Sequence, residues 1–119
     1  KRLGLQHDTS ITSRVARLYS QSRSLRAMGW KVFASFAQGS SAPEHSYMKV
    51  AMSELQQTLY ELAMDVQGAG LAITDRAVAQ ESGRWQAAFF NALAATIGGG
   101  TSEIQRNVIA QQVLGLPRA

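Results

Sequence analysis

Residues 9–37 read TSITSRVARLYSQSRSLRAMGWKVFASFA. Ile11, Val15, Leu18, Ser22, Leu25, Gly29, Val32 and Phe36 recur in this stretch at alternating steps of four and three residues. That spacing is one stripe of an α-helix and not the alternation of a strand. Ser22 and Gly29 are small members of the stripe, so a partner helix can approach closely there. The same rhythm continues outward. Gly39-Ser40-Ser41-Ala42-Pro43 breaks the first helix, and Ser41 with Glu44 matches a capping box. Pro43 suits a first helical turn. A second helix over about 43–67 carries Met48, Met52, Leu55, Leu59, Leu62 and Val66 on one side. It should end at Gly68-Ala69-Gly70, where glycine can take positive φ.

Residues 71–83 have no clear period beyond one possible helical turn between Asp75 and Gln80. A third helix over about 84–97 places Trp85, Phe89, Leu93 and Ile97 on one side, and Gly98-Gly99-Gly100 ends it. Thr101 or Ser102 then caps a fourth helix over about 102–113, with Ser102 and Gln105 as a second capping box. Gly115 and Pro117 close it. No stretch alternates with period two and no repeat is evident. Four helices joined by short loops predict an all-α, antiparallel four-helix bundle in a single domain.

Composition narrows the chemistry. The 119 residues are 45% hydrophobic and contain no cysteine. One helical core fits that length, a complete multi-domain cofactor enzyme does not. Disulfides, thiolate zinc sites, a cysteine nucleophile and iron–sulfur clusters are excluded. His7 and His45 have no second ligand at metal spacing. No phosphate-loop lysine motif and no dinucleotide fingerprint is present. The longest apolar run, Ala87 to Ile97, is interrupted by Asn91 and is too short for a membrane span. No secretory signal follows Lys1-Arg2, so a cytoplasmic domain is expected. The chain begins at Lys1 and not Met, which suggests a piece of a longer chain.

The net charge of +4 is uneven: residues 1–40 carry +6, residues 41–85 carry −3 and the remainder +1. Arg14, Arg17, Arg23 and Arg26 could mark a nucleic-acid surface. The alternative is a solvated basic helix beside an acidic neighbour. Glu54, Glu61 and Asp65 share a face of the second helix and would supply it. Aromatics do not interleave with the arginines as a stacking platform requires, so no nucleic-acid partner is expected.

The most informative feature is the glycine run leading straight into a capped helix. The first turn of that helix offers N–H groups, two hydroxyls and the positive end of the helix dipole. Such an end can hold a phosphate or a polarised carbonyl, and glycines let a ligand reach the backbone. The alternative is a plain helix–turn–helix corner.

The stretch Ile97-Gly98-Gly99-Gly100-Thr101-Ser102-Glu103-Ile104-Gln105-Arg106-Asn107-Val108-Ile109-Ala110, ending Val113-Leu114-Gly115-Leu116-Pro117-Arg118, closely resembles the C-terminal signature of acyl-CoA dehydrogenases. The layout of the first two helices resembles the family as well, so the resemblance spans essentially the whole chain. It implies the C-terminal helical domain of a flavoenzyme. Such enzymes remove a proton from the α carbon of an acyl-CoA and pass a hydride from the β carbon to FAD. Their electrons go on to an electron-transfer flavoprotein.

Many members carry the catalytic carboxylate where this chain has Gly99, so no catalytic residue is expected within it. Other members place the carboxylate on an earlier helix, and in heteromeric enzymes one subunit has lost it. The resemblance implies substrate contacts from Gly99, through its N–H, and from Gly100. It implies FAD contacts from Thr101, Ser102 and Glu103. Asp65, Gly68 and Ala69 align with a Gln-x-x-Gly-Gly stretch that touches the FAD of a neighbouring subunit, with Asp65 and Ala69 departing from the pattern. A homo- or hetero-oligomer is implied. The alternative function is a non-catalytic subunit or assembly module of a heteromeric acyl-CoA dehydrogenase.

Overall fold

The computed structural model describes residues 4–40, 44–73 and 75–118. Four α-helices carry the fold: α1 (Thr9–Ala37), α2 (His45–Gln67), α3 (Arg84–Ala95) and α4 (Ser102–Val108). The described residues contain no strand. Short 3-10 turns occupy Leu5–His7, Gly68–Ala72 and Gln80–Gly83, and α4 continues as a π-helical turn over Ile109–Val113. No helix among the described residues is long and apolar enough to cross a membrane.

Local chemistry sets the boundaries. The Asp8 carboxylate accepts from the N–H groups of Ser10 and Ile11 at 2.9 and 3.1 Å and starts α1, as an N-cap should. Gly68 stops α2 with φ +53° and ψ −129°, a region closed to side chains larger than hydrogen. The expected Ser41 cap and Pro43 lie outside the described residues. The third helix ends at Ala95 and not at Ile97. The N–H groups of Ile97 and Gly98 both turn back onto the Ala94 carbonyl, which tightens the last turn and closes it two residues early.

α2 is the central helix, with α1 on one side and α3 and α4 on the other. Pairs at both ends make α1 and α2 antiparallel: Arg14 bridges Asp65 at 2.7 Å, and Lys31 faces Glu44 at 3.8 Å. Tyr60 stacks near Trp85 with ring centroids 6.3 Å apart, while Lys49 reaches Thr96, so α2 and α3 are antiparallel too. Gly29 does bring the helices together: a Cβ there would meet Met48 Cε at 3.3 Å.

This stacking gives α2 two buried faces. The stripe through Met48, Leu55 and Leu62 meets α1. The opposite face holds Ser46, Val50 and Ser53, which are all buried. It is too polar to be seen as apolar periodicity, yet it is the face between Lys49 and Tyr60 that packs on α3. Small side chains bring the backbones close, and buried Ala92 of α3 matches them. The apolar stripe of α3 therefore turns inward at Ala92, leaving Leu93 and Ile97 exposed.

The acidic face of α2 is shared between neighbours. Asp65 pairs with α1, but Glu54 pairs with Arg106 of α4. Two of the arginines of α1, Arg23 and Arg26, also have aromatic company that linear spacing concealed. Tyr19, Arg23, Arg26, Trp30 and Phe33 fall on one helix face at steps of four and three residues, and Tyr19, Trp30 and Phe33 are about two-thirds exposed. The stack is elongated, 50 × 28 × 27 Å, with a Cα radius of gyration of 17.8 Å. A compact domain of this length is expected near 13–14 Å. Its core is correspondingly thin, with Leu18, Val32, Val50, Leu62, Ala79 and Ala92 as the buried apolar residues described.

Candidate functional site

The corner between α3 and α4 is Ile97-Gly98-Gly99-Gly100-Thr101. Gly99 and Gly100 take φ of +71° and +97°, which glycine reaches without the steric penalty of a Cβ. Two side chains from elsewhere hold the corner. Gln105 Nε2 donates to the Gly99 carbonyl at 2.8 Å. Lys49, half-buried on α2, donates to the Gly100 carbonyl at 2.5 Å and to the Thr96 carbonyl at 3.2 Å. The corner contains no cis peptide. In a trans peptide the N–H points away from the C=O. Pinning the Gly99 carbonyl on Gln105 therefore turns the Gly100 N–H the opposite way, and pinning the Gly100 carbonyl on Lys49 does the same for the Thr101 N–H. Among the described residues, the N–H groups of Gly99 and Gly100 have no backbone acceptor.

Thr101 is the N-cap of α4, its hydroxyl accepting from the Ile104 N–H at 3.4 Å. The capping box expected between Ser102 and Gln105 does not form, because Gln105 reaches back to Gly99 instead. Ser102 is the first residue of the helix, buried, and its hydroxyl has no partner among the described residues. A Cβ added at Gly99 would meet no atom within 4 Å. The position where resembling sequences carry glutamate is thus open to a side chain.

Glu103 lies in the first turn of α4. Its carboxyl is held below the ordinary value of 4.5, chiefly by its own backbone N–H and next by the Thr101 hydroxyl, with Arg106 and Lys49 adding attraction. A lowered folded-state pKa stabilises the fold above the unfolded value, and that stabilisation is lost as pH falls through the folded value. Replacing Glu103 with Gln should therefore leave stability less dependent on pH below about 4.5. Urea denaturation across that range, wild type against variant, checks it; parallel curves would contradict it.

The remaining expected site residues lie elsewhere. Asp65 is sixteen residues beyond Lys49 on α2, about 24 Å along the axis at 1.5 Å per residue. Its carboxylate is bonded to Arg14. Gly68 and Ala69 follow at that far end, both exposed. One chain thus presents two separate groups: Gly99, Gly100, Thr101, Ser102 and Glu103 at the corner, and Asp65, Gly68 and Ala69 at the distal end of α2. Neither histidine belongs to a cluster that could hold a metal, among the described residues. Lys49 was missed by sequence reasoning. A lone lysine on a helix carries no motif, and its partners lie 47 and 51 residues away.

The fold and this corner define an all-helical domain that presents main-chain donors at one end and exposed apolar surface along its flanks. The family model for the acyl-CoA dehydrogenase C-terminal domain matches residues 3–114, and the chain belongs to that family. It is 34% identical over 119 residues to the acyl-CoA dehydrogenase IpdE1 of Mycolicibacterium smegmatis, covering 99% of this chain and 28% of that protein. It is 33% identical over 110 residues to the acyl-CoA dehydrogenase FadE26 of Mycobacterium tuberculosis, covering 88% of this chain and 28% of that protein. Among solved structures it is similar to a chain of the ChsE4-ChsE5 complex from Mycobacterium tuberculosis, with a TM-score of 0.82, 31% identity, and coverage of 97% of this chain and 30% of that one. The Tcur3481-Tcur3483 steroid ACAD has the same fold, with a TM-score of 0.85 at 21% identity, over 97% of this chain and 30% of that one. The chain spans less than a third of the length of these relatives.

Proposed function

We propose that this chain is the C-terminal helical domain of an FAD-dependent acyl-CoA dehydrogenase, supplying one wall of the flavin and thioester site and part of an oligomer interface. The observation that carries the reading is the glycine corner, where among the described residues the Gly99 and Gly100 N–H groups have no backbone acceptor and the Gly100 and Thr101 N–H groups are turned away from tied carbonyls, directly before the Thr101-capped helix. The donor set suits the group. Main-chain N–H groups and a hydroxyl match the oxygens of a flavin or a thioester, and the glycines leave room for close approach. Thr101 and Glu103 would meet the flavin with their side chains. Ser102 would do so through its main chain, since its hydroxyl is enclosed. Gly68 and Ala69 would meet the flavin of a neighbouring subunit through exposed backbone, with Arg14 offsetting the Asp65 charge beside them.

In this reading the N–H of Gly99 donates to the thioester carbonyl, with Gly100 alongside. That bond strengthens as the α proton leaves and negative charge builds on the carbonyl oxygen. Bound FAD supplies the acceptor for the β hydride. The product is the trans-2-enoyl-CoA, and both electrons pass on to an electron-transfer flavoprotein. Gly99 cannot take the proton, so the base comes from another helix or another subunit.

The exposed apolar side chains, Trp30, Phe33, Phe90 and Ile97 among them, favour burial against further domains or subunits. A second reading, a non-catalytic subunit of a heteromeric dehydrogenase, is favoured by Gly99 in the usual base position and by likeness to a member of the two-protein ChsE4-ChsE5 complex. A carboxylate-bearing helix upstream of Lys1 would favour the catalytic reading, and its absence the second. The test of the domain reading compares the full-length protein, with any partner subunit, against this chain alone. The complete protein should retain a yellow flavin that bleaches anaerobically with an acyl-CoA. The chain alone should bind little FAD and turn nothing over. Tight, stoichiometric FAD binding by the isolated chain would overturn the reading.

A further inference from the structure

We propose that Lys49 is the positioning residue of the corner: by holding the Gly100 and Thr96 carbonyls it fixes the peptide between Gly100 and Thr101, so that the Thr101 N–H faces the ligand and not the protein. The proposal rests on the flavin and thioester reading of the same corner.

Three observations converge on it. Lys49 Nζ lies 2.5 Å from the Gly100 carbonyl oxygen and 3.2 Å from that of Thr96. One ammonium thereby ties the last turn of α3 to the entry of α4. A charged donor on a carbonyl is roughly twice as strong as a neutral one, and this one is half-buried, where water competes poorly. Gly99 and Gly100 have the widest conformational freedom of any residue type and cannot hold themselves at φ +71° and +97°. The restraint has to come from outside the loop. Gln105 supplies it for the Gly99 carbonyl, and Lys49 supplies it for the Gly100 carbonyl. Arg106 is spoken for by Glu54, which leaves Lys49 as the cation that reaches the corner carbonyls among the described residues.

Lys49 touches neither thioester nor reacting atoms in this scheme. It acts through the corner it ties at Thr96 and Gly100, on either side of the Gly99 donor, so its loss should lower turnover more than affinity. An error of about 1 Å in a donor's position can cost roughly a hundredfold in rate.

The experiment uses the full-length holoprotein with Lys49→Met, Lys49→Gln and Lys49→Arg. Hydrogen exchange by mass spectrometry reads the corner independently of activity, at the amides of Ile97 and Gly98, bonded to Ala94 in the turn before it, and of Gln105, bonded to Thr101 in the turn after it. Lys49→Met should raise exchange there about tenfold, the equivalent of losing one charge-assisted hydrogen bond. Its kcat should fall about tenfold or more, with KM for the acyl-CoA changed less than about twofold. Lys49→Arg, which keeps charge and donors, should recover most of both. If Lys49→Met does not fold, Lys49→Gln takes its place in each comparison. Unchanged exchange at the corner overturns the proposal, and so does raised exchange with unchanged kcat. A wild-type protein that holds no flavin and is not reduced by any acyl-CoA overturns the underlying reading instead, an outcome visible before any variant is made.

Discussion

Gly100→Ala is expected to lower stability by about 2–4 kcal/mol, while Gly99→Ala, one residue earlier, should cost about 1–2 kcal/mol. Both positions have positive φ, +97° and +71°, so both substitutions strain the backbone. They differ in what the new methyl group meets. At Gly99 it meets nothing within 4 Å, whereas at Gly100 it would sit 2.9 Å from Gln105 Nε2. Gln105 is flexible, but its amide is the donor to the Gly99 carbonyl. Moving it aside relieves the clash and breaks that bond. The Gly100 variant therefore loses a restraint as well as gaining strain. Urea denaturation of the two variants, run together, gives the comparison. Equal midpoints would show that Gln105 moves freely and that its bond to Gly99 contributes nothing. In the full-length protein the same pair should separate in kcat, with Gly100→Ala the slower.

Leu62→Ala is expected to lower stability by about 2–5 kcal/mol, the usual cost of truncating a well-buried leucine. Leu62 is 4% exposed, on the α1 side of α2, where it lines a groove with Val15, Leu18, Tyr19, Ser22, Leu55 and Leu59. The groove is already partly open, so neighbours have little to collapse onto and the lost contacts are not replaced. Leu59, one turn earlier on the same stripe, is 41% exposed, and Leu59→Ala should cost less than about 1 kcal/mol. Chemical denaturation of both variants checks this. Similar losses at the two positions would mean that the groove is covered in solution, as it would be by another copy or domain.

Much of this was legible in the sequence. The four helices, the Gly68 stop and the glycine corner all follow from local rules: period, capping residues and the φ that glycine permits. The corner itself was recognisable because its residues are contiguous. Other features were not legible. The second buried face of α2, through Ser46, Val50 and Ser53, carries no apolar signal, and only the packing of α3 on that side shows that it is core. The third helix looked longer than it is because Ile97 continues the apolar rhythm, although its N–H folds back onto Ala94. The aromatic and arginine residues on the outer face of α1 looked unrelated in linear order and became neighbours once the helix was wound.

The sequence by itself determined that the chain is helical, where the helices lie to within about two residues, and that a glycine corner precedes a capped helix. Those properties depend on hydrogen bonds and side chains within a few residues of each other. The tertiary structure alone decided which helix is central, that Asp65 pairs with Arg14, and that Lys49 holds the Gly100 carbonyl from 51 residues away. Such contacts are set by how whole helices stack, and no local period encodes which lysine will arrive at which carbonyl.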